Sequence, residues 1–127
     1  MNRPHRVVLS IGSNVADGTD HVSRAIATLR ELLTDCRDSG AYTTPALCGD
    51  GTTYVNAVFI GNYSGDIATL NTLCKTLEHT HGRDSEARRQ RRVPLDLDIV
   101  MSDGEILRPK DYDCAYFRQG YSRLTSH

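Results

Sequence analysis

Apolar positions along this chain fall into short extended runs and helical stripes, and their order outlines a fold. Residues 6–11 form a short apolar run halted by Gly12-Ser13-Asn14, which predicts a strand entering a turn. Val22, Ile26, Leu29 and Leu33 then recur at helical spacing, with Thr19 or Asp20 placed to cap the helix. Asp38-Ser39-Gly40 breaks the chain before a short strand, Ala41-Tyr42-Thr43-Thr44, which Pro45 stops. Residues 46–52 have the look of an open loop. Residues 53–60 are β-branched and aromatic enough for a central strand, with Asn56 its one strongly polar member. A second helix begins near Ser64 or Asp66 and carries Ile67, Leu70, Leu73, Cys74 and Leu77 on one stripe, with Gly82 as its C-cap.

The run Leu95-Asp96-Leu97-Asp98-Ile99-Val100 alternates strictly, so Leu95, Leu97 and Ile99 face a core and both aspartates share the opposite face. Ser102-Asp103-Gly104 predicts a hairpin turn into residues 105–107. The remaining tail is aromatic but irregular, and no repeat or linker divides the chain. The order is strand, helix, strand, strand, helix, strand, plus a hairpin arm. That is the ferredoxin-like α+β arrangement, an antiparallel sheet with two helices on one face and one domain over residues 1–127. The open sheet face and its rim loops are where a ligand would lie.

Composition narrows the function classes. With 127 residues the chain is long enough to bury roughly two thirds of its unfolded surface without staples. A net charge of −1 points to neither nucleic acid nor an anionic membrane, so electrostatic function must come from local clusters. The apolar run near the N-terminus is too short for a signal core or a span. Cys36, Cys48, Cys74 and Cys114 show no C-x-x-C pair or zinc spacing and read as free thiols in a reducing cytosol. His5, His21, His79, His81 and His127 likewise lack the spacing of a zinc site.

Two local clusters change the picture. The β-carbons of Asp96 and Asp98 would stand roughly 6–7 Å apart, a spacing that lets two carboxylates converge on Mg²⁺. Just upstream, residues 83–92 hold five of the fifteen Lys and Arg. Separately, an exposed strand face and a solvated basic loop account for such residues. Together, metal-holding acids beside arginines suggest a polyphosphate site, since a like-charged pair without a cation repels on the strand.

With Ile11-Gly12-Ser13-Asn14, Tyr42-x-Thr44-Pro45-x-Leu47, Tyr54-Val55-Asn56-Ala57, Glu78-x-x-x-Gly82-Arg83 and Leu95-Asp96-Leu97-Asp98-Ile99 in this order, the chain resembles the 6-hydroxymethyl-7,8-dihydropterin pyrophosphokinases. The resemblance runs from about Val8 to Leu107. It implies a Mg²⁺-dependent transfer of pyrophosphate from ATP to the hydroxymethyl group of the dihydropterin, giving AMP and the pterin diphosphate in folate synthesis. By resemblance, Asp96 and Asp98 hold two Mg²⁺ ions. Arg83, Arg92 and Asp98 form the catalytic group, and Lys75, Glu78, Arg88 and Ile99 line the ATP side. Thr44, Leu47, Tyr54 and Asn56 hold the pterin, and Tyr121, or failing it Phe117, supplies the second aromatic of a sandwich.

The chain departs from the family pattern in three places. Val93, not arginine, lies two residues before the acidic strand, with Arg92 adjacent. Gln90 stands where an indole is common, and Tyr116-Phe117-Arg118-Gln119-Gly120-Tyr121 replaces a histidine–arginine–aromatic motif. Two other functions compete with an active enzyme. One is an impaired paralogue that binds pterin or nucleotide. The other is an RNA-binding ferredoxin-like module, which gives the acids no role. The expected partners are the two small substrates, with no nucleic acid and no membrane, in a cytoplasmic monomer or weak homodimer.

Overall fold

A computed structural model describes residues 3–45 and 53–125. Its elements are β1 (His5–Ser13), α1 (Gly18–Leu32), β2 (Thr34–Asp38), β3 (Tyr42–Pro45), β4 (Thr53–Tyr63), α2 (Ile67–Thr80), α3 (Ser85–Arg89), β5 (Asp96–Ser102), β6 (Glu105–Ile106), α4 (Pro109–Asp113) and α5 (Ala115–Thr125). The sheet runs β2-β4-β1-β5-β6, with β3 also paired to β4. Every observed pairing is antiparallel. Strand β1 lies between β4 and β5, and β2 and β3 together fill the place of the second strand. The ferredoxin-like α+β fold expected from the element order is the one observed.

Alternation along the strands builds two cores. Val7, Leu9, Ile11, Ala57, Phe59, Leu95, Leu97 and Ile99 pack with Val22, Ala25 and Leu29 of α1 and with Leu70 and Cys74 of α2. Val8, Val58, Ile60 and Val100 face the other way, onto Phe117 and Leu124 of α5. Between Val8 and Leu9 the β1–β5 register shifts, with Val8 opposite Met101 and Leu9 opposite Ile99. Val100 keeps the alternation of Asp96 and Asp98 and faces α5, and the bulge brings the next residue, Met101, onto the same side; bulges of this kind often adjoin functional sites.

Several expectations need correction. The tail is not irregular: it forms α4 and α5, and α5 closes part of the sheet face expected to be open. The residues between α2 and β5 contain the short helix α3, whose N-cap Asp84 accepts from the Ala87 N–H. Strand β2 was not foreseen. It is a polar edge strand whose residue Asp35 sits at φ 50° and whose register shifts against β4. Helix α1 starts at Gly18 after Asp17, ahead of Thr19 and Asp20, and Leu33 is its C-cap.

Other expectations hold. Asp66 caps α2 through the Thr69 N–H, and Gly82 follows the C-cap His81. The Asp103-Gly104 turn, with φ of 52° and 83°, has the left-handed pair of a tight hairpin. Tyr42 fastens α5 to the sheet: its hydroxyl donates to the Tyr116 carbonyl and accepts from the Gly120 N–H at 3.1 Å. The approach is so close that a Cβ at Gly120 would fall 2.5 Å from Tyr42 Oη and 2.6 Å from Val58 Cγ2. Among the described residues, no helix is long and apolar enough to cross a membrane.

Candidate active site

Asp96 and Asp98 lie on the same face of β5, because Leu95, Leu97 and Ile99 occupy the first core. The rest of the site assembles around them. Register places Asp96 opposite Gly12, Gly12 opposite Asn56 and Asn56 opposite Tyr42, one row across four strands. Gly12 keeps that row low. A Cβ there would meet Asn56 Oδ1 at 3.4 Å and Tyr54 Cδ1 at 4.0 Å, so Tyr54 and Asn56 flank the position. Asn56 Nδ2 donates to Thr44 Oγ1 at 2.6 Å, which fixes the amide from the neighbouring strand. Thr44, Tyr54 and Asn56 are thus brought together. Leu47 lies outside the described residues.

On the outer side of β5, α2 reaches around the strand edge. Buried Glu78 accepts from the Leu97 N–H at 2.8 Å, from Arg83 Nη1 at 3.0 Å and from Lys75 Nζ at 3.4 Å. Arg83 Nη1 also meets Asp96 Oδ1 at 2.8 Å. Glu78 and Arg83 are therefore joined to the acids through the strand they stabilise. Lys75 Nζ and Arg108 Nη1 each stand 3.7 Å from Asp98 Oδ1. Ile67, Ala68, Asn71, Lys75, Asp98, Ile99, Leu107 and Arg108 line a groove of about 520 Å³, within the range of small-molecule sites. Lys75 and Ile99, expected on the ATP side, both line this groove. Sequence reasoning missed Arg108, whose signal was a lone cation between the hairpin and Pro109.

The electrostatics describe a pair short of positive charge. Burial, then the charge of Asp96, pushes the Asp98 carboxyl up to about 7. Burial works the same way on Asp96, but hydrogen bonds with Asp98 and Arg83 outweigh it and hold that carboxyl below the usual range. Burial likewise raises Glu78, against the Leu97 N–H and the charges of Lys75 and Arg83. Like charges so close cannot both ionise cheaply, so near neutrality the aspartate pair retains part of a proton.

Among the described residues no group of three or more His, Cys, Asp or Glu surrounds a cation position. Two carboxylates alone match Mg²⁺, which usually takes one or two protein carboxylates and completes its shell with water and substrate phosphates.

The arginine segment is anchored at its far end. Asn14 N donates to the Val93 carbonyl at 2.9 Å, and the Val93 N–H donates to Asn14 Oδ1 at 2.6 Å. Asn14 Nδ2 also donates to the Arg91 carbonyl at 2.9 Å. Asn14 thus ties the end of β1 to this segment, and Gly12 and Ser13, expected in a turn, are paired residues of the strand. Arg88 and Arg92 are exposed to solvent, and among the described residues their side chains make no hydrogen bond or ion pair. Phe117 is fully buried in the second core, so it is a packing residue with no face left for a ligand. Tyr121 is half-buried, stacked on Phe117 at 5.3 Å and edge-on to Tyr112 at 6.2 Å.

A family model described as 7,8-dihydro-6-hydroxymethylpterin-pyrophosphokinase matches residues 8–121. The chain belongs to this family. Membership carries, at the level of the family, a pyrophosphokinase activity on a pterin in folate biosynthesis. The match extends past the hairpin through α4 and into α5, so the divergent tail lies inside the family's span. No curated protein matches the chain.

Proposed function

We propose that this chain transfers the pyrophosphoryl group of ATP to the hydroxymethyl group of 6-hydroxymethyl-7,8-dihydropterin, releasing AMP, with two Mg²⁺ ions. The reading rests on the shared face of Asp96 and Asp98, which stand between a pterin-sized polar surface and the groove. The pterin hydroxyl oxygen forms the new bond to the β-phosphorus, and the bond from that phosphorus to the oxygen of AMP breaks. The hydroxyl proton leaves to solvent or a nearby base.

Mg²⁺ on the two aspartates would supply charge neutralisation and alignment of the phosphates. The protein's own residues do the positioning. Asn56, its amide fixed by Thr44, offers a donor and an acceptor to the amide-like edge of a pterin, and the Tyr54 ring gives a flat neighbour. Lys75, Asn71 and Ile99 take the nucleotide. Glu78 acts one step back, holding Arg83 and the β5 backbone where the acids need them. Arg88 and Arg92, exposed on and after α3, can reach a triphosphate, which a planar guanidinium binds through two oxygens.

Incubation with ATP, Mg²⁺ and the dihydropterin, followed by AMP release, tests the proposal. AMP formed only when all three are present supports it. Tight pterin and nucleotide binding without AMP would instead favour the impaired paralogue, a reading supported by Val93 at the position of a family arginine. Acids on the sheet face disfavour RNA, and salt-sensitive RNA binding without nucleotide binding would restore that reading.

A further inference from the structure

Arg108 is fixed more firmly than a surface arginine needs to be. The Leu107 and Arg108 N–H groups both donate to the Val100 carbonyl, at 2.8 and 3.3 Å, which pins this turn to the bulge of the acidic strand. Pro109 follows at the first position of α4. The guanidinium is bonded through Nε to Asp111, and Nη1 faces Asp98. Across the groove, Lys75 faces the same carboxylate oxygen at the same distance. Both cations keep about half their side-chain surface exposed, so a ligand can reach them.

Lys75 and Arg108 share the Asp98 carboxylate at 3.7 Å, and each has one further acid, Glu78 for Lys75 and Asp111 for Arg108. A metal drawn onto Asp98 would take this shared acceptor and leave two cationic heads, each with a single carboxylate partner among the described residues, bordering the groove. The remaining lining is Ile67, Ala68, Ile99 and Leu107 with the amide of Asn71. That is apolar surface for a flat base, with the positive charge confined to one end.

We propose that Arg108 is a polyphosphate-binding residue of the groove, paired with Asp98 and Asp111 in the free protein and transferred to phosphate oxygens when a metal–nucleoside triphosphate binds. This rests on the proposed function, and its test separates the two. Titration calorimetry would compare wild type, Arg108→Ala and Arg108→Lys with a methylene-bridged ATP analogue plus Mg²⁺, and with adenosine. Loss of a charge-assisted bidentate contact should weaken analogue binding by about ten- to a hundredfold in Arg108→Ala. Adenosine binding should stay unchanged, and Arg108→Lys should recover part of the loss because a point charge still reaches phosphate.

A merely structural Arg108 would lower thermal stability and weaken both ligands equally, which overturns the inference. Unaltered analogue affinity in Arg108→Ala overturns it too, and leaves the pyrophosphokinase reading standing. A wild-type protein that binds no Mg²⁺-analogue removes both together.

Discussion

Replacing Asp98 by asparagine should cost ligand binding and yet strengthen the ligand-free fold. The residue is 9% exposed and its carboxyl is pushed up to about 7. Above that pH the folded protein holds a buried charge that the unfolded chain would carry in water. The sign follows from the raised value: the folded state takes up the proton more readily, so stability is present at acid pH and lost as pH rises toward 7. An increase of roughly three pH units over an ordinary aspartate, at about 1.4 kcal/mol each, caps the cost at ~4 kcal/mol.

Asp96 is held down by the same coupling, and Lys75 and Arg108 offset part of the remainder, so a net of about 1–2 kcal/mol is expected. For a domain of this size each kcal/mol moves Tm by about 3–5 °C. Asp98→Asn without ligand should therefore melt several degrees above wild type at pH 8. At pH 5, where the folded carboxyl is protonated but the unfolded one is still ionised, the advantage should shrink, and it should vanish only near pH 4. Mg²⁺ with ATP should raise the wild-type Tm and leave the variant's unchanged. Scanning fluorimetry at these pH values reads all of this in one plate. A variant that melts lower at pH 8, or that keeps a Mg²⁺-dependent shift with ATP, would refute the reasoning.

Other perturbations test other parts of the structure. Gly120→Ala drives a methyl onto Tyr42 and Val58 and should cost about 1–3 kcal/mol in urea unfolding. Glu78→Ala strands the Leu97 N–H and frees Arg83, for a loss of about 2–4 kcal/mol, and should also raise the KM for ATP in steady-state assays. His81 shares a 2.8 Å Nδ1–Nδ1 contact with His21, and burial, then Arg24 and His21, lowers its affinity for a proton. Its stabilising contribution is therefore complete above the ordinary histidine range and lost as pH falls through it. On an Asp98→Asn background, His81→Gln should flatten the fall of Tm between pH 7 and 5; an unaltered acid limb would remove His81 from the account.

Strict alternation around the aspartates dictates their shared face, because core packing on one side leaves no choice on the other. Asp66 and the Asp103-Gly104 turn were legible for the same kind of local reason. Strand β2 was not, since Thr34-Asp35-Cys36-Arg37-Asp38 is a polar edge with no apolar rhythm. Helix α5 does carry a stripe, Phe117, Gly120, Tyr121 and Leu124, at helical spacing. A glycine in its middle hid that stripe, and the glycine is there only because Tyr42 leaves no room for a side chain. Phe117 looked available for a ligand for the same reason: its partners Val8, Val58 and Val100 come from three distant strands. Arg108 enters the groove because its turn bonds the Val100 carbonyl and the groove is lined from three separate stretches of chain, which no local pattern announces.

The outer rim of the acidic strand has a consequence for how the protein fails. Glu78 and Lys75 occupy the Leu97 backbone groups, Arg83 takes the Leu95 carbonyl, and the Leu107–Arg108 turn takes the Val100 carbonyl. A foreign chain finds no docking template there until α2 peels away, and α2 is rooted in the main core through Leu70 and Cys74. Clumping nucleated at that rim should therefore wait for cooperative melting, and heated samples should stay clear until the transition itself.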